Sequence, residues 1–163
     1  MVINGKDLIE ISPIKNMIPH KIRYQGVSHG LGEAGYDIRL KQEVQFGRYP
    51  KMGLDYVIQD NIIYSHSFCL ASAIEEFDMP NNMVGVVHDK STWARQGLSV
   101  LNTVIEPGWK GFLTLELVCH RRTPLILPAG AGIAQVIFHE TSAYAAYEGK
   151  YQNQEDEPVP ARG

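Results

Sequence analysis

Apolar and polar residues alternate along much of the chain in short stretches, which is the period of a half-buried strand rather than of a helix. Tyr36-Asp37-Ile38-Arg39-Leu40 is the clearest case, and Tyr56 to Ile63, Ser67 to Ala73 and Met83 to Val87 predict further strands. So do Leu98 to Val104, Phe112 to Val118, Leu125 to Leu127 and Ile133 to Phe138. A helical segment is expected only from Gly5 to about Ser12, stopped near Pro13, with a short helical turn over Ser91 to Gln96. Scattered Gly and Pro mark turns between these elements. Many short strands with regular turn signals predict a mainly β fold, an antiparallel sandwich or a distorted barrel.

The pattern changes near Ser142. Tyr144, Tyr147 and Tyr151 lie among Ala, Gly, Lys and Gln, and Glu155-Asp156-Glu157-Pro158-Val159-Pro160 follows. This stretch has too little apolar content for a core of its own. The expected organisation is therefore a β domain over 1–141 and a C-terminal arm over 142–163. Such an end either frays or orders over a ligand or a neighbouring subunit, and both readings stand at this point.

Composition narrows the classes. The 163 residues suffice for one domain with a real core, and 44% hydrophobic with 20% charged is ordinary for a globular protein. A formal net charge of −3 gives no overall cationic field for a nucleic-acid polymer, though a local basic pocket for a small anion is compatible with it. Two cysteines, Cys69 and Cys119, do not make a disulfide framework, and reduced thiols in an intracellular chain are the simpler reading. Met1 to Ile11 carries Lys6, Asp7 and Glu10 and has no apolar signal core, and no apolar run is long enough to span a bilayer. The expectation is a cytosolic protein, in a bacterium or in a virus-infected host cell.

Three segments could carry chemistry. Glu116 lies in Leu113-Thr114-Leu115-Glu116-Leu117-Val118, where alternation puts it on the face of Thr114 and Val118, opposite Leu115 and Leu117. Such a carboxylate either meets solvent on an ordinary strand surface or turns into a pocket, where it is suited to proton transfer. His88 to Gly97 gathers Lys90, Ser91, Thr92 and Arg95 around Trp93, the donor types that phosphate oxygens accept from, but without a glycine-rich phosphate loop. Pro107-Gly108, in Thr103 to Gly111, marks a tight turn, and Glu106 at its entrance could accept a hydrogen bond from a sugar hydroxyl; as a bare pattern it predicts a hairpin. Zinc-dependent nucleobase deaminases need a Cys-x-x-Cys pair and a His-x-Glu, and neither occurs here.

Taken together, these segments resemble the dCTP deaminase and dUTPase superfamily. Ala34-Gly35-Tyr36-Asp37-Ile38-Arg39-Leu40 is similar to its first shared motif, and Lys90 to Gly97 to its Arg-Ser-Ser-Leu-Ala-Arg-x-Gly segment. Val104 to Gly111 is similar to the Ile-Asp-Pro-Gly-Trp/Phe-x-Gly turn, and Leu115-Glu116-Leu117 follows at the deaminase spacing. Pro128-Ala129-Gly130 with Ile133-Ala134-Gln135 resembles a later Pro-Gly…Ile-Gly-Gln motif, and Gly149 to Gln154 the deaminase C-terminal arm. The resemblance implies a jelly-roll-like β-barrel of the dUTPase type, assembled as a homotrimer with active sites at subunit interfaces. It also implies a deoxycytidine nucleotide as substrate, with Mg²⁺ bound through the triphosphate and no zinc.

Carried over by position, the resemblance makes Glu116 the acid/base that activates water, helped by Ser91 and Arg95. It assigns substrate binding to Lys90, Thr92, Glu106, Gln135, Tyr147, Lys150 and Gln154. Glu116 also discriminates within the superfamily, since dUTPases have an apolar residue there. Three departures stand out. Lys90 replaces the usual Arg, which removes a two-pronged phosphate contact but keeps the charge. Glu106 replaces Asp. The loop from Gly97 to Ile105 is about two residues shorter than its counterparts, at a place that normally lines the base. The leading expectation is deamination of dCTP to dUTP. Its alternatives are a bifunctional enzyme continuing to dUMP, a dUTPase-like hydrolase without deamination, and a nucleotide-binding regulator without turnover.

Overall fold

The computed structural model describes residues 1–48 and 53–163. The chain opens with β1 (Val2–Ile3) and α1 (Gly5–Ile11), followed by β2 (Lys21–Tyr24), β3 (Val27–Leu31), β4 (Tyr36–Arg39) and β5 (Glu43–Phe46). Next come β6 (Tyr56–Gln59), β7 (Ile62–Ser65), β8 (Phe68–Asp78), β9 (Met83–Asp89) and the single helical turn α2 (Ser91–Ala94). The last strands are β10 (Leu98–Val100), β11 (Val104–Ile105), β12 (Lys110–Cys119), β13 (Leu125–Leu127) and β14 (Gly132–Glu140). The mainly β fold expected from the alternation is what forms, with the short helix α1 at its start.

Among the described residues the strands make three sheets. The largest runs β11-β9-β14-β4-β3-β2, with β1 also on β14. The others run β10-β12-β8 and β13-β5-β7-β6. β5 and β7 pair in parallel. Register shifts interrupt β12 between Phe112 and Thr114 and β14 between Gly132 and Ala134, which bend the strands and distort the barrel. The core between sheets is closed by Ile38, Leu40, Phe46, Phe77, Leu115, Leu117, Val136 and Phe138, all essentially inaccessible. Cys69 and Cys119 are both buried there as free thiols, and burial pushes the Cys69 thiol well above its ordinary range.

A partly buried ion pair joins two of the sheets. Arg39 of β4 donates through Nε to Glu75 Oε1 of β8 at 2.8 Å, and its backbone N–H donates to Oε2. Burial pushes the Glu75 carboxyl above its ordinary value, opposed by the hydrogen bonds and charge of Arg39.

The structure departs from the sequence expectations in four places. Tyr56 to Ile63 is not one strand but the hairpin β6–β7, because Asp60 and Asn61 take φ of 51° and 61°. Two left-handed residues make the tight turn that matches strand twist, and Asp and Asn tolerate it where most side chains do not. Leu98 to Val104 is likewise not one strand: it divides into β10 and β11, which belong to different sheets. The Pro107-Gly108 turn is not a hairpin, since β11 pairs with β9 while β12 pairs with β10 and β8. Finally, β1, β2, β3 and β5 form outside the predicted strands: β5 alternates in burial over only four residues, and β2 is an edge strand exposed along its whole length. No helix among the described residues is long and apolar enough to cross a membrane.

Candidate active site

Glu116 owes its place to the pleat of β12. Leu115 and Leu117 point into the core, fully buried, so Thr114 and Glu116 are turned to the other face. On β8 the partner of Glu116 is Leu70, and that of Val118 is Phe68. This face is the floor of an open cavity of about 510 Å³, made apolar by Phe68, Leu70, Val87 and Leu113. Its size is that of a small-molecule site. Glu116 is an exposed side chain on the cavity wall.

A second wall comes from the segment that crosses between sheets. Leu101 to Thr103 leaves β10, and Val104 and Ile105 then pair with Val86 and Gly85 of β9. Glu106 follows immediately and lines the same cavity. The Pro107-Gly108 turn then brings the chain to Trp109, which is buried at the cavity edge.

The third wall is the arm. Tyr147, Tyr151 and Gln154 line the cavity, and beyond them Val159 and Ala161. The arm is fastened, not frayed. Trp109 Nε1 donates to the Tyr151 carbonyl at 2.7 Å, Phe112 N to the Gln154 carbonyl at 3.0 Å, and Tyr147 N to the Pro107 carbonyl at 2.8 Å. Val159 N donates to Thr114 Oγ1 at 3.0 Å, and the Gln154 amide also bonds that hydroxyl. Gly111, at φ 130°, makes the approach feasible: a Cβ there would sit 2.5 Å from Gln154 N. The glycine of the turn motif is therefore a seat for the arm.

Of the residues expected at the site, Glu106, Glu116, Tyr147 and Gln154 come together in this cavity. Lys150 is on the arm outside it, bonded to the Arg162 carbonyl, with its ammonium 5.4 Å from the Tyr151 ring centroid. Ser91, Thr92 and Arg95 are exposed on and beside α2 and do not line the cavity. Gln135 is half-buried on β14, opposite Asp37 of β4 and His88 of β9, also outside it. Lys90 is buried just before α2. Its Nζ lies 2.5 Å from Asp37 Oδ2 and 3.1 Å from Ser28 Oγ. Its charge is satisfied within the chain.

Sequence reasoning missed Asn102, Thr114 and Trp109. Asn102 interrupts a strand-like run of Leu, Val, Ser and Thr, and Asn is depleted in strands, which is the signal that it has another task. Thr114 and Trp109 become visible as arm anchors only once the arm is in place.

The electrostatics of the cavity are one-sided. Two carboxylates line it and, among the described residues, no lysine or arginine does. An apolar floor with carboxylates and amides suits a base and a sugar, whereas phosphates need cations from elsewhere. Among the described residues no three His, Cys, Asp or Glu side chains gather into a group that could hold a metal ion.

Likeness to known proteins gives the family. The model of the family described as "dCTP deaminase-like" matches residues 12–141. A dCTP deaminase of Chlamydia trachomatis is 36% identical over 151 residues, covering 82% of this chain and 80% of that protein. Among solved structures, the 2'-deoxycytidine 5'-triphosphate deaminase of Agrobacterium tumefaciens superposes with a TM-score of 0.56 at 15% identity, over 84% of this chain and 47% of that one. The native EIAV dUTPase superposes with a TM-score of 0.51 at 18% identity, over 72% of this chain and 84% of that one, so the two share a fold. With a family match across most of its length and a relative above one-third identity, the chain belongs to the dCTP deaminase-like family.

Proposed function

We propose that the protein deaminates dCTP to dUTP and ammonia without zinc, with Glu116 as the acid/base. The observation that carries this reading is the Glu116 carboxylate on the wall of an apolar-floored cavity, in a chain whose relatives include dCTP deaminases. Glu116 takes a proton from water, and the hydroxide adds to cytosine C4 as N3 gains a proton. Glu116 passes that proton to N3, then carries the proton of the new C4 hydroxyl to the amino nitrogen; the C4–N bond breaks, releasing ammonia and leaving the C4 carbonyl. Glu106 accepts from the sugar 3'-hydroxyl.

That no lysine or arginine among the described residues lines the cavity supports a site completed by a second subunit. In a homotrimer, α2 of a neighbour would supply Ser91, Thr92 and Arg95, with Ser91 holding the water and Arg95 orienting Glu116. Gln135 contributes from β14. Mg²⁺ enters as part of the triphosphate substrate. The arm over 142–163 closes the site with Tyr147, Lys150 and Gln154. The cytosol, where the deoxynucleotide pool lies, is the place of action.

Incubation with dCTP and Mg²⁺, and separately with dUTP, followed by product chromatography, tests the reading. Ammonia with dUTP is the expected outcome. Ammonia with dUMP supports the bifunctional reading, which the shared cavity of Glu106 and Glu116 favours as second choice. Pyrophosphate from dUTP without ammonia, or binding without any product, overturns deamination. Deletion of residues 142–163 tests the arm. It leaves the β core folded and lowers kcat/KM by about a hundredfold, the scale of lost closure and positioning. Steady-state kinetics beside a thermal melt would reveal it, and unchanged kinetics would remove the arm from the mechanism.

A further inference from the structure

The segment Leu98 to Ile105 must leave one sheet and enter another within very few residues. Val100 pairs with Leu117, so the next position in register with Glu116 is Leu101. Leu101 N donates to the Glu116 carbonyl at 2.9 Å, as a regular antiparallel ladder requires. The reciprocal bond, from Glu116 N to the Leu101 carbonyl, is not what forms. Glu116 N donates instead to Asn102 Oδ1 at 2.9 Å. The other end of the same carboxamide, Nδ2, donates to the Thr114 carbonyl at 2.6 Å. By the next residue the chain is committed to the other sheet, since Val87 N donates to the Thr103 carbonyl at 3.0 Å.

We propose that Asn102 is a positioning residue for Glu116: its carboxamide takes the place of a missing length of strand and clamps β12 on both sides of Leu115. This rests on the reading of Glu116 as the acid/base. Both main-chain groups of Glu116 are thereby fixed by consecutive residues, one through a backbone donor and one through a side-chain acceptor. The compact crossover that shortens this loop creates the need for the clamp, because the peeling chain takes its own carbonyl away. With Nδ2 and Oδ1 each engaged by β12, Asn102 bears on the reaction through the placement of Glu116. Loss of the clamp leaves the Glu116 N–H and the Thr114 carbonyl without these partners at the cavity wall, and the strand is free to shift there. A displacement of about 1 Å in a catalytic group is enough to cost on the order of a hundredfold in rate.

Asn102→Leu, branched at the same carbon though larger and without either bond, and Asn102→Asp, which keeps the acceptor for Glu116 N and loses the donor to Thr114, test this on the full-length protein. Asn102→Leu is expected to lower kcat by about 10- to 100-fold with KM for dCTP within about threefold, and Asn102→Asp to recover part of the loss. Thermal melts and near-ultraviolet circular dichroism of both variants accompany the kinetics, and Asn102→Asp carries the test if Asn102→Leu does not fold. Retention of wild-type kcat in whichever folded variant is assayed overturns the proposal. So does a rise in KM with kcat unchanged, which would mark Asn102 as a substrate contact. Glu116→Gln run in parallel separates the two layers. If it turns over, the reading of Glu116 fails; if it is inactive while the Asn102 variants are unimpaired, only the clamp fails.

Discussion

Glu116→Gln is expected to abolish ammonia release from dCTP while leaving nucleotide affinity within about tenfold. The amide keeps the size of the carboxylate and can still hydrogen-bond. It has no basic oxygen to receive a proton from water, so the step that makes hydroxide is lost while the groups that hold base and sugar stay. The surroundings make the experiment clean. Leu115 and Leu117 on either side are locked in the core, and the main-chain N–H and carbonyl of Glu116 are held by Asn102 and Leu101. The substitution therefore changes chemistry without moving the strand. Ammonia detection beside calorimetric titration with dCTP reads both quantities at once, and measurable turnover by the variant would remove Glu116 from the mechanism.

Lys90→Ala is expected to destabilise the fold by about 3–5 kcal/mol, the range for removing one partner of a buried ion pair. The side chains of Lys90 and Asp37 are only 10% and 5% exposed, so neither draws much on solvent. Asp37 Oδ1 already has no partner and is buried. Without the ammonium, the carboxylate would keep only the Ser28 hydroxyl, at 3.3 Å, in surroundings that strongly disfavour an unpaired charge. The pair ties β4 and β3 to the chain just before α2, so the loss would also loosen the platform that carries Ser91, Thr92 and Arg95. Urea denaturation of the variant measures it. A stability within about 0.5 kcal/mol of wild type would mean that the ion pair contributes nothing, and would return Lys90 to the role of a phosphate ligand alone. The double replacement Lys90→Met with Asp37→Leu should recover most of the stability, since exchanging a buried pair for apolar groups is often neutral.

The arm shows how far sequence reasoning reaches. Its low apolar content and its tyrosines left fraying and ordering both open. What settles its path here is a set of partners more than thirty residues away: the Trp109 indole, the Thr114 hydroxyl and the bare backbone at Gly111. None of these is recognisable as an anchor until β12 is laid beside them. The crossover after β10 is similar. Leu98 to Val104 reads as one strand because its residues are mostly apolar, yet Asn102 marks the point where it divides.

The sequence by itself determined the class of fold and the face on which Glu116 stands. Both follow from local periodicity, because successive side chains on a strand must point to opposite sides. It also carried the family resemblance, which the match over residues 12–141 bears out. Only the tertiary structure decided which of the motif residues share a cavity. Glu106, Glu116, Tyr147 and Gln154 meet because three separate stretches converge on one face of β12, while Lys90 is drawn to Asp37, far away along the chain. Periodicity places a side chain on a face but does not say what packs against that face, and long-range pairing between sheets is where that is settled. Glu116 was visible in the sequence as a carboxylate among leucines; the clamp that Asn102 closes around its backbone was not.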